Sequence, residues 1–178
     1  LGELEFTGGS NSVNMLRVSN ASGDGFNVSA GSINMSFILV DNSSGKAIVI
    51  SDTADVALSN GTLYGNGNGL TDNSSGSITM VNSIVWGNTT AIDGDPVVTY
   101  SDVQGTYTGT GNIDSDPLFV APANNNFELD LLSPCIDSGD PTVVYDPDST
   151  VADMGAFPRL RQFLAGTSTE DINVSADT

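Results

Sequence analysis

Apolar residues fall in short runs of about three to five along residues 14–105, and Gly, Asn, Asp or Ser closes each run. No spacing of three and four residues is sustained, so the runs read as strands rather than helix, and the Gly and Asn density would be costly in a helix. One run recurs as a word. It is clearest as Asn82-Ser83-Ile84-Val85-Trp86-Gly87-Asn88, and returns in weaker form at 60–66, 36–42 and 14–20. The closing residues Asn20, Asn42, Asn66 and Asn88 are separated by 22, 24 and 22 positions. Two further runs accompany each word, as in Lys46-Ala47-Ile48-Val49-Ile50 and Asp55-Val56-Ala57-Leu58. Three strands per repeat of about this length predict a solenoid, and specifically a right-handed parallel β-helix of about four coils. A β-sandwich would not return one word at a fixed period.

Equivalent residues of successive coils stack about 4.8 Å apart. Asn20, Asn42, Asn66 and Asn88 are therefore expected to form a structural amide ladder at a sharp turn. Within the word, Leu39, Leu63 and Val85 form one apolar column, with Arg17 at the same position in the first coil. Val18, Val40, Tyr64 and Trp86 form the next column, which alternation places on the opposite face. We read the Leu39 column as inward. Val40, Tyr64 and Trp86 then form an outer stripe, either covered by a later part of the chain or serving as a partner or carbohydrate contact. Residues 1–13 read as a first strand or capping segment. Residues 106–157, rich in Asp and Pro, read as a loop-rich cap that closes the last coil. Residues 158–178 read as a polar tail with one strand-like run at 172–174.

Composition narrows the functions. The formal charge is −18, with Arg17, Lys46, Arg159 and Arg161 as the cations and no histidine. This argues against nucleic acid and anionic membranes, which require Lys and Arg clusters. The absence of histidine removes His-based triads. Cys135 has no second cysteine to pair with and reads as a small buried hydrophobe. No run is long and apolar enough to span a membrane. The chain opens Leu1-Gly2-Glu3 and reads as an excised piece of a longer protein.

Several ordered blocks resemble a family. They are the word at 82–88, Tyr100-Ser101-Asp102-Val103-Gln104-Gly105, residues 111–120, Phe127-Glu128-Leu129, residues 133–141 around Pro134-Cys135-Ile136-Asp137, and Asp153-Met154-Gly155-Ala156-Phe157. This set, over roughly residues 77–157, is similar to the C-terminal coils and cap of right-handed parallel β-helix repeat proteins of bacterial surfaces, the choice-of-anchor and polymorphic outer-membrane-protein-like groups. The resemblance implies a secreted or surface location and a longer parent with more coils and an anchoring segment. It implies no particular reaction.

Candidate chemistry is concentrated in aspartate. Asp146, Asp148, Thr150 and Asp153 offer several hard oxygens within one loop, a candidate calcium site; the competing reading is turn capping. No cofactor is required. A polysaccharide lyase would need a base, and the coils hold only Arg17 and Lys46. A glycoside hydrolase would need two facing carboxylates, for which Asp41, Asp52, Asp72 and Asp93 are candidates, each more readily a turn residue. Asn-x-Ser/Thr sequons at 20, 27, 34, 42, 60, 73, 88 and 173 overlap the ladder positions. The resulting expectation is a non-enzymatic extracellular module, a stalk, surface-layer or adhesin segment, with other copies of itself, other surface proteins or carbohydrate as partners. The alternatives are a self-assembling filament subunit, joined by end-to-end coil stacking or strand addition, and a carbohydrate-active enzyme.

Overall fold

The computed structural model describes residues 4–143 and 146–159. Its first coil contains β1 (Leu4–Asn14) and β2 (Arg17–Ser19), and its second β3 (Phe26–Ser36) and β4 (Leu39–Asp41). The third contains β5 (Lys46–Asp52), β6 (Asp55–Ser59) and β7 (Thr62–Tyr64), and the fourth β8 (Asn68–Ser74), β9 (Ile78–Val81) and β10 (Ile84–Trp86). The fifth contains β11 (Thr90–Asp93), β12 (Val97–Thr99) and β13 (Asp102–Val103). Every pairing among these strands is parallel. The molecule is thus an all-β parallel β-helix of about five turns, one more than the word count predicts. The added coil ends on the rung Asp102-Val103, which lacks the asparagine word, while residues 4–14 form a full strand of the first coil.

The interior is built by period-two alternation. Ile33 and Met35 of β3 stack on Val56 and Leu58, then on Ile78 and Met80, all buried. Phe26 and Val28 stack on Ile48 and Ile50 in the same way. The third face corrects the predicted inward column. Val40 pairs with Leu63, and Leu63 with Val85, so the core column is Val18, Val40, Leu63, Val85 and Val103. Leu39 pairs with Thr62 and faces outward. Leu63 and Val85 face inward as expected; the error is one residue of register in the coil of Leu39, which turns Leu39 outward and Val40 inward. It also explains Arg17, which pairs with Leu39 in the outward column and never has to enter the core.

The same slip divides the predicted ladder. The left-handed turn position is held by Asn20 (φ 54°) and Asn42 (φ 55°), then by Gly65 (φ 67°) and Gly87 (φ 69°). Asn66 and Asn88 sit one residue later, where their amides point into the turn. Asn66 Oδ1 accepts from the Ser43 N–H at 2.9 Å, and its Nδ2 donates to the Val40 carbonyl at 3.0 Å. Asn88 Oδ1 accepts from the Asn66 backbone N–H at 2.8 Å, and its Nδ2 donates to the Leu63 carbonyl at 2.8 Å. A hydroxyl ladder at the opposite turn was not foreseen: Ser83 Oγ accepts from the Gly61 N–H (2.9 Å), and Ser101 Oγ from the Ser83 N–H (3.1 Å).

The described residues of 106–157 close the last coil only in part. Tyr107 packs against the core there, and Ile113 bridges to Asp102 as the stub of a further rung. The rest runs back along the outer face of the β2–β4–β7–β10–β13 sheet. It includes the antiparallel pair β14 (Phe119–Ala121) and β15 (Asn126–Leu129). The cap is therefore mainly a cover for a sheet face.

Candidate functional site

The outer face of that sheet is where outward apolar residues, buried charges and cap meet. Leu39 is buried with Phe127 and Ala156, and Ile84 with Leu129, Cys135 and Met154. Tyr64, Phe119 and Phe127 form a triangle of edge-on rings with centroids 5.2 to 5.6 Å apart. Backbone bonds complete the seam. The Ala156 N–H donates to Thr62 Oγ1 at 2.9 Å, the Gly155 N–H to the Asn82 carbonyl at 2.8 Å, and the Asp140 N–H to Asn82 Oδ1 at 2.7 Å. Asn60 Nδ2 donates to the Asp153 carbonyl at 3.1 Å. Sequence reasoning missed Asn60 and Asn82 as cap anchors. Their signal was the opening asparagine of the word, present at 60 and 82 where Phe37 stands one coil earlier.

The predicted stripe Val40, Tyr64 and Trp86 does not exist as a stripe. Val40 is a core residue, and Tyr64 lies beneath Phe119 and Phe127. Trp86 remains outward and half-buried at the margin of the cap.

Arg17 clamps the first coil to the cap. Its guanidinium lies 3.1 Å from Asp41 Oδ1 and 5.6 Å from the Phe127 ring centroid, and it donates to the carbonyl and side chain of Asn125, each at 3.2 Å. Asp41 is fully buried and also accepts from Ser19 Oγ and Asn42 Nδ2. It is thereby removed from the set of hydrolase candidates. Asp72 Oδ1 caps a turn by accepting from the Ser74 N–H and hydroxyl. Asp52 and Asp93 are exposed and lie, with Asp72, on a different sheet from Asp41.

The predicted calcium loop is built around backbone amides. Asp146 Oδ2 accepts from the Asp153 N–H at 2.8 Å, and Asp148 Oδ1 from the Thr150 N–H and hydroxyl. Asp153 Oδ1 accepts from the Asp137 N–H at 2.7 Å and its Oδ2 from the Arg159 N–H at 2.6 Å. Among the described residues no three acidic or cysteine side chains are grouped closely enough to hold an ion. Burial pushes the Asp153 carboxyl up to about 6, opposed by the two amides it accepts from.

A second buried carboxylate, Asp102, lies between the coils and the cap. Its Oδ2 accepts from the Cys135 thiol at 3.2 Å and its Oδ1 from the Ser115 N–H at 3.1 Å. Burial raises it to about 6. Burial, followed by the adjacent Asp102 charge, pushes the Cys135 thiol far up, so it stays protonated and unreactive, in accord with its reading as a buried hydrophobe.

A groove of about 1630 Å3 is lined by the turn column bearing Met15, Phe37, Asn60 and Asn82 and by the cap residues Val143, Pro147 and Phe157. A cleft of about 270 Å3 opens beside Tyr64 and Trp86. Among the described residues no helix is long and apolar enough to cross a membrane. The strand-like run at 172–174, the sequon at 173 and Arg161 lie outside the described residues.

Fold and seam together define a capped parallel β-helix. No family model and no curated protein matches the sequence. Among solved structures the chain is similar to the crystal structure of pectate lyase Pel9A, with a TM-score of 0.52 at 16% identity. The match covers 85% of this chain and 53% of that chain, so this chain spans about half the length of its neighbour. At this identity the likeness establishes the fold alone.

Proposed function

We propose that the chain is a non-enzymatic extracellular module, a rigid stalk, surface-layer or adhesin segment, that presents a surface and performs no reaction. The observation that supports this reading is the use made of its reactive side chains. Arg17 is held by Asp41 and Asn125, Arg159 donates to the Leu129 carbonyl, and Cys135, Asp102 and Asp153 are buried in the cap seam. Each carries the scaffold. Parallel stacking along one axis suits a spacer, and an excess of acidic over basic residues suits a surface in contact with salt and solvent.

The likeness to a pectate lyase favours a carbohydrate-active enzyme as the second reading. Against it, Arg17 is consumed as a clamp, which leaves Lys46 as the other cation of the coils and a poor basis for proton abstraction. Incubation with acidic and neutral polysaccharides, read by new reducing ends and by the absorbance of unsaturated products, distinguishes the two. The module reading predicts no product from either class; release of product from one of them overturns it.

A further inference from the structure

We propose that the cleft beside Trp86 binds one ring of a neutral saccharide, which gives the adhesive form of the proposed module its ligand class and rests on that reading. The cap buries Leu39 and Ile84 completely but stops short of Trp86, leaving it half-buried at the mouth of the cleft. Its walls are Tyr64, Trp86, Asp116, Leu118, Phe119 and Pro122, around about 270 Å3. Phe119 packs edge-on against Tyr64 and fixes that wall. At the lip, Leu118 adopts a left-handed φ of 52°, a conformation that costs energy for leucine, and it is pinned there by its N–H donating to Asp116 Oδ1 at 3.0 Å.

The wall is amphipathic in the way a pyranose is. Aromatic faces accept the apolar C–H face of a sugar, while hydroxyls need polar partners at the edge. Asp116 supplies an exposed carboxylate acceptor. Trp86, which lines the cleft, brings an indole N–H donor to the same wall. Charge selects the class. The cleft lining has no cation, and Asp114 lies with Asp116 close enough to raise the neighbouring Asp102, so a uronate would meet like charge.

Trp86 is the only tryptophan, so its emission reports on this cleft directly. Short gluco-, manno-, xylo- and galacto-oligosaccharides are titrated in parallel with oligogalacturonate. We expect a saturable emission shift with at least one neutral series and none with oligogalacturonate. Asp116→Asn keeps the oxygen that holds Leu118 but removes the charged acceptor, and is expected to weaken apparent affinity by about tenfold without moving the unfolding midpoint. A silent indole with every neutral series, tighter binding of oligogalacturonate, or unchanged affinity in Asp116→Asn overturns the proposal. A silent indole leaves the scaffold reading intact, whereas product release in the polysaccharide incubation removes the scaffold reading whatever Trp86 does.

Discussion

Asparagine does two physically different jobs in this chain, one residue apart. At 20 and 42 it supplies a backbone conformation, the left-handed turn that glycine takes over at 65 and 87. At 66 and 88 it supplies an amide, buried at 66 and half-buried at 88, that satisfies main-chain groups of the preceding coil. The two roles respond differently to substitution. Asn20→Gly is expected to leave stability nearly unchanged, since glycine adopts the turn freely and the Asn20 side chain is exposed. Asn66→Ala strips partners from the Ser43 N–H and the Val40 carbonyl and is expected to cost about 1–3 kcal/mol per orphaned group in urea denaturation. The asparagine columns were legible in the sequence as a period, but not their division. Gly65-Asn66 and Asp41-Asn42 look alike as text, and only the identity of the left-handed residue fixes the register. Arg17 was the one clue: a cation in a column assigned to the core marked that column as outward.

Among elements, the cap and the sheet beneath it form the least legible part of the fold. The coils repeat, and repetition reveals which residues share a face. Phe127, Leu129, Cys135 and Met154 follow no period, so the sequence identified them as apolar without saying what they cover. The seam yields two predictions. Phe127→Ala removes a ring from the Tyr64 and Phe119 triangle and from beneath Arg17, and is expected to destabilise by about 3–5 kcal/mol and to open the cap to limited proteolysis. The aspartate loop, whose carboxylates are bonded to amides of the loop and of Asp137 and Arg159 beside it, is expected to hold its shape without metal. A chelator should then leave the thermal midpoint unchanged, and a lowered midpoint would restore the calcium reading.

For the whole molecule, charge and buried carboxylates act in the same direction. Asp102 and Asp153 titrate at about 6 in the fold against an ordinary value of 3.8, because burial disfavours their ionised forms. Their contribution to stability is fully present below pH 3.8 and is lost as pH rises through about 6. Acidification from about pH 7.5 to about pH 5 should therefore raise the thermal midpoint. Relief of the −18 self-repulsion adds to this, and Asp102→Asn with Asp153→Asn should flatten the part due to burial. Solenoid architecture, the coarsest feature, was the most legible, because a parallel β-helix writes its pitch into the chain as a repeat length. Function was least legible, because the residues that resemble chemistry serve as fasteners. That conclusion depends on the cap belonging to the same cooperative unit as the coils. Native-state hydrogen exchange measures this directly. The amides of Asp140, Gly155 and Ala156, which bond to Asn82 and Thr62, are expected to be protected to the same free energy as the strand amides of β7 and β10. Exchange of those cap amides orders of magnitude faster than the strand amides would show a detachable cover over Leu39, Tyr64 and Ile84, and would contradict a self-sealed scaffold.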